Sequence, residues 1–151
     1  MATATTPLSL KGRALRLLSG REHSRVELQR RLAQFEEEPG ALAKALDELQ
    51  AKGFINEQRV IESVLNRRSA KLGTARIRQE LQGKGLAPEA VLNAVVQLRS
   101  TELDRAREVW RKRFGEPAAD AAERGKQMRF LASRGFSGDA IRKVVSDGGD
   151  D

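Results

Sequence analysis

Cysteine and tyrosine are absent from the 151 residues, histidine occurs once, and six aromatic rings are present: Phe35, Phe54, Trp110, Phe114, Phe130 and Phe136. Each shortage removes a class of function. Without thiols there is no disulfide framework, thiolate nucleophile or cysteine-ligated zinc, and His23 alone cannot build a histidine-rich metal centre. So few rings argue against an aromatic platform that stacks unpaired bases. Long apolar runs are missing as well: none exceeds four residues even counting glycine. That excludes a helical membrane span, and Met1 to Leu10 lack the apolar core of a secretory signal. The expectation is a cytoplasmic chain with no cofactor, no metal and no catalytic residue set.

What is abundant is charge. Lysine and arginine number 28 against 21 aspartates and glutamates, a net +7, and the isoelectric point is near 10.4. That balance suits a protein that meets nucleic acid or another polyanionic surface. With 39% hydrophobic residues the composition remains that of a folding chain.

Apolar residues recur at three- and four-residue steps without sustained two-residue alternation, which predicts an all-α chain of nine short helices. Leu10, Ala14, Leu17 and Leu18 form one stripe, ended by Gly20. Leu28, Leu32 and Phe35 share a second helix face, whose start is marked by the capping-box spacing of Ser24 and Glu27. Leu42, Ala45, Leu46 and Leu49 form a third stripe between Pro39, suited to a first helical turn, and Gly53, suited to a C-terminal cap. Glu36, Glu37 and Glu38 precede that helix, where negative charge favours the dipole.

Self-similarity then divides the length. A shift of 49 places Leu28 on Ile77, Leu32 on Leu81, Pro39 on Pro88, Leu42 on Val91, Leu46 on Val95 and Leu49 on Leu98. A further shift of 50 places Leu81 on Leu131, Lys84-Gly85-Leu86 on Arg134-Gly135-Phe136, Val91 on Ile141 and Val95 on Val145. A period of this size marks an array of small helical units. The expected organisation is three tandem three-helix repeats, 8–55, 56–100 and 101–146, in an elongated, curved stack, with disordered ends at 1–7 and, acidic, at 147–151.

The same residues resemble the RecX family, regulators of bacterial RecA recombinase. The likeness runs through RALRLLSGREHSRVELQRRL from Arg13, LDELQAKGFINEQRV from Leu46, RSAKLGTARIRQELQGKGL from Arg68 and, more weakly, ASRGFSGDAI from Ala132. The resemblance implies a monomeric, non-enzymatic protein lodged in the groove of the RecA filament on DNA. There it would restrain ATP hydrolysis, strand exchange and assisted repressor cleavage, in DNA repair, recombination and the SOS response.

Positive excess is greatest in the middle repeat, with 8 basic and 4 acidic residues over 56–100, against 9 and 7 before it and 11 and 10 after it. Arg67, Arg68, Lys71, Arg76, Arg78 and Lys84 are therefore the candidate contacts to the RecA filament or to DNA backbone within it. Arg68 extends the Ile61/Leu65 face into a charged last turn, and Arg76 and Arg78 flank Ile77. The plainer reading makes them a solvated rim whose aliphatic stems cover the core. Arg111, Lys112 and Arg113 beside Trp110 form a second basic run, diluted by Glu108, and Trp110 itself belongs to the apolar face of Leu103, Ala106 and Phe114. His23, just ahead of the Ser24 cap, reads as structural. The competing function is a direct DNA-binding tri-helical protein.

Overall fold

The computed structural model describes residues 7–146; the ends expected to be disordered lie, Pro7 apart, outside the described residues. Within them are nine α-helices and one 3-10 turn, with no strand among the described residues. In chain order they are α1 (Leu10–Gly20), α2 (Arg25–Leu32), the turn Ala33–Phe35, α3 (Ala41–Ala51), α4 (Glu57–Arg68), α5 (Thr74–Gly83), α6 (Pro88–Ser100), α7 (Glu102–Arg113), α8 (Ala121–Ser133) and α9 (Gly138–Ser146). The all-α class read from the periodicity is correct. Two compact units divide the chain, Met1–Val60 with Lys84–Leu86, and Ile61–Gly83 with Ala87–Asp151.

In the first unit the predicted capping box closes as its spacing requires: Ser24 Oγ accepts from the Glu27 N–H at 3.1 Å and Glu27 Oε1 from the Ser24 N–H at 3.0 Å. Ala14, Leu28, Leu32, Leu42, Leu46, Leu49 and Ile55 form one buried cluster. Gly53 ends α3 in the left-handed region at φ 83°. There the Phe54 N–H reaches the Leu49 carbonyl at 2.9 Å and the Gly53 N–H the Gln50 carbonyl at 3.0 Å, the two bonds of a Schellman turn.

Two expectations in this unit are corrected. Pro39 stands before α3 and not in its first turn, because left-handed Gly40 is the residue that turns the chain into the helix. The first-turn amides are met from outside, Glu36 Oε2 accepting from the Leu42 N–H at 2.8 Å. Phe35 does not join the core face of Leu28 and Leu32, because α2 tightens into the 3-10 turn after Leu32 and leaves the ring 39% exposed.

In the second unit Ile77 and Leu81 of α5 and Val91, Ala94, Val95 and Leu98 of α6 are buried. Ala106, Trp110, Leu131, Phe136, Ala140, Ile141, Val144 and Val145 form a cluster against which Leu103 and Phe114 pack. Trp110 is a core residue, and its indole N–H donates to Gln127 Oε1 at 2.9 Å while the Gln127 amide donates to the Glu116 carbonyl at 3.2 Å.

A backbone-on-backbone contact fixes the start of α5. The Gly73 N–H donates to the Arg134 carbonyl at 2.7 Å, and the Ala75 N–H to the Gly135 carbonyl at 3.3 Å. A β-carbon on Gly73 would fall inside the Gly135 carbonyl, and one on Gly135, whose φ is 91°, inside Arg76. Gly73→Ala and Gly135→Ala are each expected to cost roughly 2 kcal/mol or more through overpacking and, at Gly135, a strained φ. Gly83→Ala, at the last residue of α5 with open space around its β-carbon, should be neutral or slightly stabilising, because alanine favours the helical backbone over glycine. Urea titrations followed by circular dichroism would compare them; equal stability of the Gly73 and Gly83 variants would show the contact to be dispensable.

Candidate functional site

The six candidate cations do not share one environment. Arg67 and Arg68, in the last turn of α4, are exposed and both reach Glu80 of α5, at 3.5 and 3.1 Å. One half-buried carboxylate thus holds two guanidiniums side by side and leaves the pair with net positive charge. Such exposed ion pairs contribute little to stability and exchange readily for an external anion. Lys71 lies in the turn after α4, exposed. Arg78 is also exposed and, with Arg99 of α6, lines a cavity of about 360 Å³ whose wall includes Thr74, Phe136 and Ser137. Arg99 was missed by sequence reasoning because it stands 21 residues from Arg78, and only the pairing of α5 with α6 brings the two to one cavity.

Arg76 is divided between solvent and structure. Its guanidinium donates to the Ser133 carbonyl at 2.7 Å, meeting a free acceptor at the end of α8, while its stem lies against Gly135. Lys84 departs furthest from the expected surface role. It is buried, belongs to the first compact unit, and places its ammonium 3.1 Å from Glu27 Oε2. The Lys84 carbonyl accepts from Ser24 Oγ at 2.6 Å. Lys84 thus serves the packing of its own unit, while Arg67, Arg68, Lys71 and Arg78 present their charge outward.

Another cation is equally committed to structure. Arg105 of α7, half-buried, donates to the carbonyls of Ser69 at 3.0 Å, Leu72 at 2.6 Å and Leu98 at 2.9 Å, and to the hydroxyls of Thr74 at 3.2 Å and Thr101 at 3.0 Å. Burial lowers its pKa and the nearby Glu102 opposes that shift. Glu102 itself accepts from the Thr74 N–H at 2.8 Å, which places a carboxylate at the positive end of α5. Among the described residues no group of three or more His, Asp or Glu side chains could hold a metal ion. No described helix is long and apolar enough to cross a membrane.

Two family models match the chain, the first three-helix domain of RecX over residues 11–49 and the third over residues 100–145. Among curated proteins, the chain is 53% identical over 145 residues to the regulatory protein RecX of Leptothrix cholodnii, covering 96% of this chain and 92% of that one. It is 45% identical over 145 residues to the regulatory protein RecX of Ralstonia nicotianae, covering 96% and 91%. A solved structure of RecX from Lactobacillus salivarius aligns with a TM-score of 0.74 at 18% identity, over 91% of this chain and 93% of that one.

The Lys84–Glu27 pair and the neighbouring His23 make the first unit sensitive to acid. His23 is buried, its Nδ1 donating to the Arg21 carbonyl at 3.0 Å; burial lowers its pKa, with the Arg21 charge adding to the effect and the carbonyl opposing it. For Glu27 burial alone would raise the pKa, but the Ser24 N–H, Lys84 and Arg21 together hold it below the ordinary value. A lowered histidine binds its proton in the unfolded chain first, so its stabilisation is complete above about pH 6.5 and is lost as pH falls below it. The Glu27 contribution is lost further down, as pH falls through the carboxylate range. Thermal unfolding from pH 7.5 to 4 should show stability declining in that order. His23→Gln should remove the first decline, and Lys84→Met should cost about 1–2 kcal/mol at neutral pH by leaving Glu27 with the exposed Arg21, 3.3 Å away, as its ionic partner.

Proposed function

Because the chain belongs to the RecX family of regulatory proteins, we propose that it binds the RecA filament on DNA and restrains RecA's ATP hydrolysis, strand exchange and coprotease activity. Membership of that family over nearly the whole chain carries the reading. The outward cations Arg67, Arg68, Lys71 and Arg78 give it a physical means. Planar guanidinium forks pair with carboxylates on a protein groove and with phosphates of the DNA inside it.

Its three repeats, 8–55, 56–100 and 101–146, serve as connected contacts, so that one molecule touching neighbouring RecA subunits gains avidity without any single strong contact. A clamp across subunits favours one state of their nucleotide cycle over the other, and that differential affinity suffices to slow turnover. The protein acts as a cytoplasmic monomer, needs no cofactor and makes or breaks no covalent bond.

Addition at near-stoichiometric ratio should suppress DNA-dependent ATP hydrolysis by RecA, and the protein should co-sediment with preformed filaments. An unchanged ATPase rate with no co-sedimentation would refute the proposal. Replacing Arg67, Arg68, Lys71 and Arg78 together by alanine should raise the concentration for half-inhibition at least about tenfold, as loss of several charge-assisted contacts implies, with helicity unchanged. Full inhibition by that variant would move the interface elsewhere. Tight, sequence-preferring binding to naked duplex that falls steeply with salt would favour the direct DNA-binding reading.

A further inference from the structure

A second cationic site, unrelated to the middle-repeat cations, lies in the first unit. Arg13 and Arg16 project from α1 at the i, i+3 spacing that places them on one helix face, and Arg31 stands at the end of α2. With Leu17, Leu32 and Phe35 they line a cavity of about 230 Å³. We propose that this cavity receives an acidic peptide segment of a partner protein, one that carries a large apolar side chain flanked by carboxylates.

The charges are the first argument. Several cations of the same unit have a carboxylate partner: Lys11 has Glu48, Arg21 has Glu27, Arg25 has Asp47 and Arg59 has Glu22. Arg13, Arg16 and Arg31 form no ion pair with any described carboxylate, although they border one small cavity. Like charges bordering one cavity repel one another, and an external anion relieves that repulsion. Preorganisation is the second. The Arg13 guanidinium lies 3.7 Å from the centroid of the Phe35 ring, a cation–π contact that holds its plane while leaving the N–H edge free for an oxygen acceptor.

The walls decide the class of ligand. Leu17, Leu32 and the Phe35 ring, turned out of the core by the 3-10 turn, offer apolar surface beside the guanidiniums, a pairing a bare phosphodiester chain does not use. The ring face on which a nucleobase would stack is already covered by Arg13. The volume is below that of sites for drug-sized ligands and suits a single large side chain. An acidic segment with one apolar anchor satisfies both halves of the cavity.

The test uses the intact chain and a fluorescein-labelled peptide of six aspartates around one central leucine, read by fluorescence anisotropy. Saturable binding is expected. It should weaken at least about tenfold in Arg13→Gln/Arg16→Gln/Arg31→Gln, as loss of charge-assisted hydrogen bonds implies, and severalfold when serine replaces the leucine. The pair Arg16→Gln/Arg31→Gln, both exposed side chains, serves if the triple variant loses helicity. Removing the same charge at Arg111, Lys112 and Arg113 should leave binding unchanged. Three results overturn the proposal: no saturable binding, equal weakening by the Arg111–Arg113 control, or tighter binding of an oligothymidylate of equal charge. None depends on whether RecA is the regulated partner.

Discussion

Two turns can press main chain against main chain only where a β-carbon is missing, and the meeting of Gly73 with Gly135 depends on that constraint, while the equivalent place in the first unit keeps a side chain in the contact. The shifts that relate the repeats carry Ser24 onto Gly73 and Lys84-Gly85 onto Arg134-Gly135. At the first place Ser24 Oγ donates to the Lys84 carbonyl at 2.6 Å; at the second the Gly73 N–H donates to the Arg134 carbonyl at 2.7 Å. The acceptor is in each case the residue before a left-handed glycine, with φ 67° at Gly85 and 91° at Gly135. A β-carbon on Gly85 would strike the Val26 side chain. The 49-residue shift replaces Val26 by Ala75, and with both side chains reduced the second turn approaches the backbone itself.

The same equivalence explains why the candidate cations part company. It carries Glu27 onto Arg76 and Lys84 onto Arg134, so an ion pair at the first place becomes two like charges at the second. Glu27 and Lys84 meet at 3.1 Å. Their counterparts diverge: Arg76 turns to the Ser133 carbonyl, and Arg134 lies over the Phe130 ring, 4.9 Å from its centroid. Lys84 and Arg76 therefore carry structural duties that their neighbours Lys71 and Arg78 do not.

Much of the architecture was legible because it depends on local spacing. The stripes through Leu46 and Leu49, the Ser24–Glu27 box and the Gly53 turn each rest on residues within one or two helical turns, and each is found as read. What was hidden depends on distant partners or on one torsion. Lys84 finds Glu27 across 57 residues and Arg105 finds the Ser69 carbonyl across 36, separations over which a charge count carries no signal. Phe35 had the right spacing for the core face, but a tightened last turn rotates it outward. Pro39 had the right chemistry for a first turn, but Gly40 turns the chain one residue later.

Counting charge therefore overstates the surface available to a partner, and the correction is physical. A cation whose donors are spent on carbonyls, as at Arg105, or on a partly buried carboxylate, as at Lys84, cannot turn outward without giving up those contacts. A cation on an exposed shared carboxylate, as at Arg67 and Arg68, exchanges partners at little cost. The outward charge in the middle of the chain lies on the end of α4, the turn after it and Arg78 of α5, and α5 is anchored at its first turn by Gly73, Glu102 and Arg105. The direction in which Arg78 presents its charge is thus set by a contact with no net charge of its own, the meeting of Gly73 with Gly135.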